Sequence, residues 1–240
     1  MRYAILADVH GNYDALEAVL DDARSVGADA YLCLGDIVGY GAEPDRCVEA
    51  VRELRGLAVA GNHDFAAVDK TSIEYFNNDA RDAVLWTRSA LSDAHKDYLA
   101  GLEMTAIVND LTLVHSTLHA PEMFNYVLNP YDAELCLQHL TTPLCFLGHS
   151  HSPIIFLETN RIEPVFDTSF EIEPGQRALI NVGSVGQPRD QNPHAAYGLY
   201  DTHTRRFELR RTPYNVDAAV SKILDAGLPG ANALRLRLGR

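Results

Sequence analysis

The chain is 240 residues long, 47% hydrophobic and 22% charged, which supplies apolar material for one sizeable core and reads as a single domain spanning residues 1–240. Its formal net charge of −13 repels nucleic-acid phosphates and anionic headgroups at long range, which argues against a dedicated nucleic-acid or membrane-surface binder. No apolar run approaches the ~20 residues of a membrane span, and the apolar start, interrupted by Asp8, is too short for a secretory leader, so a cytoplasmic location is expected.

In chain order, Tyr3–Ala7 reads as a buried strand. Asn12 then caps a helix with Leu16, Val19, Leu20 and Ala23 on one face, ended by Gly27. Ala30–Leu34 is a second strand, Glu43–Leu54 a second helix and Leu57–Ala60 a third strand. This β-α-β-α-β order predicts a layered α/β fold with a partly parallel sheet. Residues 73–99 read as helical, with Ser92 a cap. Thr105–Val108 and Leu111–Val114 flank Asn109-Asp110 as a hairpin, and Pro130 opens a helix running to His139. The remainder is strand-rich: Leu144–Leu147, Ile154–Leu157, Leu179–Val182, Tyr197–Tyr200 and Phe207–Arg211. A helix over Val216–Ala226 follows, capped by Asn215 and ended by Gly227, and then a slightly basic tail. Cys33, Cys47, Cys136 and Cys145 form no C-x-x-C pair and read as buried free thiols.

Five segments carry the chemistry, each at the end of an apolar strand-like run. They are Asp8-Val9-His10, Gly35-Asp36, Gly61-Asn62-His63-Asp64, His115 and Gly148-His149-Ser150-His151. The carboxyl ends of strands are where open α/β sheets bind ligands, so these side chains are expected to converge at one edge. Aspartate and neutral histidine bind borderline divalent ions. On a regular strand Asp8 and His10 would share a face and touch one ion, and His149 and His151 repeat that spacing. The glycines at 35, 61 and 148 allow tight turns close to the site. Asp8, His10, Asp36, Asn62, His115, His149 and His151 are too many for one zinc site of about four ligands. They suit two ions about 3.5–4 Å apart that share a bridging carboxylate.

Together these segments resemble the calcineurin-like metallophosphoesterase superfamily, whose motifs read D-x-H, G-D, G-N-H-[DE], H and G-H-x-H. The stretch Asn181-Val182-Gly183-Ser184-Val185-Gly186-Gln187-Pro188-Arg189 is similar to the C-terminal part of its small bacterial branch. The resemblance implies a four-layer α/β/β/α sandwich with two mixed sheets. It assigns Asp8, His10, Asp36 and His151 to a first metal and Asp36, Asn62, His115 and His149 to a second, with Asp36 bridging. Manganese is the expected ion, with iron, zinc, nickel, cobalt or magnesium as alternatives. The expected reaction is hydrolysis of a small phosphorylated substrate, a phosphodiester or nucleotide, by a hydroxide held between the ions.

His63, next to ligand Asn62, is the expected proton donor to the leaving oxygen, and the family pattern gives it this role. Asp64 is expected to orient it and keep it cationic, the competing reading being a helix or turn cap. Asn12 and Arg189 are the expected substrate contacts, since an arginine fork matches phosphate oxygens, although Arg189 could instead pair with Asp190. After Gly35-Asp36 the chain reads Ile37-Val38-Gly39-Tyr40-Gly41, without the arginine that Ser/Thr protein phosphatases and symmetric diadenosine tetraphosphatases carry there. That disfavours those two activities, while a dinucleoside polyphosphate hydrolase stays open. A scaffold of the same fold without catalysis is the alternative from a different class. The intact His63 and ligand positions favour an enzyme. The sequence specifies no oligomeric state.

Overall fold

In a computed structural model of Met1–Arg240, the first strand shows how the layers are stacked. In β1 (Arg2–Leu6), Ala4 and Leu6 face a core shared with helices, whereas Tyr3 and Ile5 face the opposite way, into a core shared with a second sheet. A strand buried on both faces must be apolar throughout, which is why the run lacks polar alternation. Each fully buried isoleucine or leucine contributes ~1.5–3 kcal/mol relative to exposure.

The first sheet has the order β3-β2-β1-β11-β12-β9, built from β2 (Ala30–Cys33), β3 (Leu57–Ala58), β9 (Ser169–Glu171), β11 (Ala195–Asp201) and β12 (Arg206–Thr212) around β1. Strands β1, β2 and β3 run parallel, while β11 is antiparallel to β1, with Ala4 opposite Leu199. The second sheet has the order β4-β5-β6-β10-β7-β8, from β4 (Thr105–Val108), β5 (Leu111–Val114), β6 (Leu144–Leu147), β7 (Ile154–Glu158), β8 (Ile162–Val165) and β10 (Arg177–Asn181). Here β5, β6 and β10 are parallel and the remaining pairs antiparallel. Both sheets are therefore mixed.

Helices α1 (Tyr13–Ser25) and α2 (Pro44–Glu53) cover the outer face of the first sheet. A short α3 (Asn62–Ala67) follows β3, then α4 (Asn78–Ala90) and α5 (Asp93–Ala100). Helix α6 (Pro130–Leu137) covers the outer face of the second sheet through Ala133, Cys136 and Leu137. Helices α7 (Val216–Asp225) and α8 (Gly230–Leu238) join α4 in a fourth apolar cluster. The result is the expected α/β/β/α sandwich, and no helix is long and apolar enough to cross a membrane.

The cap readings at Asn12, Ser92 and Asn215 hold: each side chain accepts the backbone N–H three residues on. Three expectations need correction. Residues 73–99 are not one helix. Asn77 caps α4, Leu91 leaves helical geometry at ψ 136° and Ser92 restarts the chain as α5, so the two caps cut the apolar period. The basic tail is α8, whose Ala233 and Leu236 are buried. Strands β8 and β9 were not expected; both are short and half-exposed, with little apolar signal. All four cysteines are buried free thiols, as read from the sequence.

Candidate metal centre

The parallel β1, β2 and β3 end beside the parallel β5 and β6 of the other sheet, and the motif residues follow those five ends. Hydrogen bonds stitch the sheets together there. His115 donates from Nδ1 to the Leu34 carbonyl at 2.8 Å, and the His149 amide donates to Asp8 Oδ2 at 2.9 Å. All of the expected ligands except Asn62 are nearly or fully buried.

Convergence does not arise by strand periodicity. Strand β1 stops at Leu6, so Asp8 and His10 lie beyond it. Asp8, His10, Asp36, His149 and His151 all adopt left-handed backbone, with φ of 53°, 50°, 52°, 66° and 57°. L-residues enter that region at a cost, and such strain concentrates at functional sites. The expectation that two residues of spacing two share a regular strand face is therefore replaced. The side chains meet because the turns are wound left-handed. Nor do Gly61 and Gly148 supply turn freedom, having no positive φ. They supply room, because a Cβ at Gly61 would strike the Asp36 carboxylate and one at Gly148 would strike Asp8 Oδ2.

The protein pins one atom of Asp8, Asp36, His10, His115 and His151 and leaves another facing the centre. Asp8 Oδ2 is taken by His149 N–H, and its buried Oδ1 has no partner. Asp36 Oδ1 accepts the His63 amide at 2.8 Å, and its Oδ2 lies 3.6 Å from His10 Nε2 and 3.3 Å from His115 Nε2. His10 and His151 donate from Nδ1 to the carbonyls of Val38 (3.0 Å) and Gln187 (2.6 Å). That fixes the tautomer, so both Nε2 atoms present lone pairs, yet they stand 3.0 Å apart. Two lone pairs at that distance repel unless a cation lies beside them. Asp8, His10 and His151 hold their ligand atoms within 4.8 Å of one another, as do Asp36, His115 and His149. A third such group, His10, Asp36 and His63, links these two, so the donor set fits divalent cations at neighbouring positions. Asn62 Oδ1 is also buried without a partner.

The electrostatics agree. Burial would raise both aspartates, but the histidines around them hold them well below the ordinary carboxylate value. Burial lowers His10, His149 and His151, which keeps them neutral. His115 is the exception: burial would lower it, but Asp36 and Asp8 raise it to about 9. Filling this site would therefore displace a proton from His115.

His63 and Asp64 are both buried, but not as expected. The Asp64 carboxylate accepts the Gly61 and Val38 amides at 3.0 and 3.2 Å, closing a capping box on α3. It makes no bond to His63, whose Nδ1 has no partner. Asp64 is thus the turn cap, and the proposed orienting role is corrected. Burial pushes His63 down to about 4, with Arg189 adding to the effect, and Asp36 does not offset it, so the ring is held neutral. Asn12 is corrected too. It is 4% exposed, caps α1 through Oδ1, and gives Nδ2 to the Gly186 carbonyl and Tyr214 hydroxyl, leaving nothing for a ligand. Arg189 does face the cleft. Its Nη2 donates to Gln187 Oε1 at 3.0 Å and reaches Tyr40 Oη at 3.4 Å, while Asp190 pairs with Arg211 instead.

A cleft of about 370 Å³ opens over this centre, reaching Asp36, Asn62, His63, His149, His151 and Arg189. Aromatic rings that the sequence did not point to collar it. Tyr40 packs on His10 and His63 at 4.7 and 4.5 Å between centroids, Phe76 on His63 at 4.9 Å, and Tyr126 stacks on His149 at 4.1 Å. Tyr40, set between Gly39 and Gly41 just after Asp36, carried a readable signal. The others sit in loops with none.

A profile of the calcineurin-like phosphoesterase superfamily domain matches residues 1–205. The chain is 35% identical over 241 residues to an uncharacterized protein of Methanocaldococcus jannaschii, MJ0912, covering 99% of this chain and 98% of the relative. It superimposes on the crystal structure of a metallophosphoesterase from Sphaerobacter thermophilus with a TM-score of 0.88 at 38% identity, covering 100% and 99% of the two chains. The hypothetical protein PH1004 of Pyrococcus horikoshii shares the fold with a TM-score of 0.80 at 18% identity, covering 100% and 98%.

Proposed function

The chain belongs to the calcineurin-like phosphoesterase superfamily, and on that premise we propose that it hydrolyses a phosphodiester or nucleotide-type ester at a pair of divalent ions, manganese foremost. Asp8, His10, Asp36 and His151 would hold one ion, and Asp36, Asn62, His115 and His149 the other. The observation that carries this reading is the set of inward-facing acceptors gathered without a donor: Asp8 Oδ1 and Asn62 Oδ1, with the His10 and His151 Nε2 lone pairs opposed at 3.0 Å. Bound ions supply Lewis acidity, neutralising the ester and lowering the pKa of water near them.

The chain's own residues do the rest. Pinned carboxylates and tautomers keep the ligands preorganised, so little reorganisation accompanies reaction. Arg189 offers its fork to the non-bridging phosphoryl oxygens, steadied by Gln187. Tyr40, Phe76 and Tyr126 border the centre, so an ester bound against them would displace water from its rim. Hydrolysis forms a P–O bond to the water oxygen and breaks the ester P–O bond, leaving an alkoxide that needs a proton. His63, with its free Nδ1, is placed to deliver it. Because burial disfavours its charged form, the proton would be held only while the anionic substrate sits beside it.

The test is Asp36→Asn. One charge shared by both groups is lost, so turnover of bis-p-nitrophenyl phosphate with manganese should fall on the order of 10³-fold, with bound manganese reduced. Near-normal rate and metal content would refute the bridging assignment. Metal binding without turnover of any ester by the unmodified protein would instead favour the scaffold reading.

A further inference from the structure

The cleft has two unlike halves. At its floor Arg189 and the candidate ligands concentrate charge; above them lie exposed apolar rings. Tyr75 is 94% exposed, Met123 66% and Tyr126 47%, although all three line the cleft. Large apolar side chains left open around a concave site mark a surface that something else covers. They come from two separate loops, around Tyr75-Phe76 and around Met123-Phe124, which face the cleft from different parts of the chain. Phe124 and Tyr126 are anchored below by the His115 and His149 rings, at 6.2 and 4.1 Å between centroids, so Tyr126 is held as a rigid platform.

Charge narrows the occupant further. Arg189 is the one lysine or arginine side chain lining the cleft, and Glu122 adds a carboxylate to the apolar half. A polyphosphate tail placed there would meet the Glu122 carboxylate with no lysine or arginine beside it, in a chain whose net charge is already −13. A planar, uncharged ring would instead bury the rings it touches.

We propose that this half of the cleft is a stacking subsite for an aromatic base, so that the substrate is a diester in which one phosphoryl group is flanked by a nucleoside, and not a polyphosphate. The inference rests on the phosphoesterase reading above. Tyr75 and Tyr126 are its specificity-determining residues, facing the base, with Tyr126 backed by the His149 ring.

The manganese-loaded protein should be assayed on thymidine 5′-(p-nitrophenyl phosphate) and on methyl p-nitrophenyl phosphate, which share charge and leaving group. The nucleoside ester should show a KM about tenfold lower, the usual effect of one stacking ring. Tyr126→Ala and Tyr75→Ala should each bring the ratio of the two KM values toward one. Saturation-transfer NMR on zinc-loaded protein with the unreactive thymidine 5′-methylphosphonate should place the strongest contact on the thymine protons, and Tyr126→Ala should remove it. Diadenosine tetraphosphate should be the poorer substrate. Equal KM values with both esters hydrolysed, no base contact, or preference for the tetraphosphate would overturn the subsite while leaving the phosphoesterase reading intact. No turnover of either ester with any divalent ion would sink both.

Discussion

At the residue scale, the candidate centre works by dividing each side chain between the protein and a ligand. His63 is the informative exception, because no protein atom engages Nδ1 and burial opposes its charged form. If it protonates the leaving alkoxide, His63→Ala should retain metal and slow alkyl esters by about 10²-fold while affecting p-nitrophenyl esters far less, since nitrophenolate needs little protonation. Steady-state rates across a leaving-group series would check this, and a uniform loss would rule out the acid role. Which residues gather at the candidate centre was legible in the sequence because aspartate, asparagine and histidine after apolar runs are chemically distinctive. Their backbone was not. Aspartate and histidine enter positive φ more readily than most residues, but that preference is too weak to have marked both ends of Asp8-Val9-His10 as left-handed. Between the two roles open to Asp64, the structure selects the cap. A carboxylate beside a histidine in sequence points to a partner, but the open amides of Gly61 and Val38 claimed it.

At the scale of elements, caps and clamps set boundaries that periodicity alone blurred. Asn12 binds three partners from α1, the Gly186 turn and Tyr214, so Asn12→Ala should cost ~1–2 kcal/mol, or roughly 2–8 °C in Tm. Calorimetry checks that. A large rise in KM without loss of stability would restore the substrate role that the structure removes. The join between α5 and α2 is electrostatic. His95 gives its two ring nitrogens to Asp45 (2.6 Å) and Glu49 (3.0 Å), and these carboxylates raise its pKa above 6.5 despite opposing burial. A histidine raised on folding stabilises fully below its unfolded value and loses that contribution as pH rises through the folded one. Urea midpoints should therefore fall between about pH 6.5 and the pH at which folded His95 deprotonates, and His95→Gln should flatten that slope. Strands with two buried faces were legible because they must be apolar throughout. The edge strands β8 and β9 and helix α8 were not, since their apolar positions are few and gain meaning only from the elements they cover.

At the scale of the molecule, the centre sits where two sheets abut, with carboxylates of the first sheet's turns reaching histidines of the second. Within metal-free protein, Asp8 and Asp36 are like charges in a buried junction, and Asp36 opposes the ionisation of Asp8, so bound cations should stabilise the junction. Removing metal with a chelator should lower Tm by roughly 5–10 °C, the effect of an ion present well above its Kd, and manganese should restore it. An unchanged Tm would argue against occupancy of the centre in the purified protein. Layer order was legible from the alternation of apolar runs, but which strand ends abut across the interface was not, because register between sheets leaves no local mark.

The pinned oxygens of Asp8 and Asp36 carry a consequence for which ions the protein accepts. A carboxylate with one oxygen already committed to an amide cannot swing from one-point to two-point grip, and imidazoles anchored at the rear cannot retreat. The pocket behaves as a fixed gauge and not as an adaptable cage. Calcium, which is large and asks for six to eight oxygen donors at about 2.3–2.6 Å, should fit that gauge poorly and should fail to restore the Tm that manganese restores.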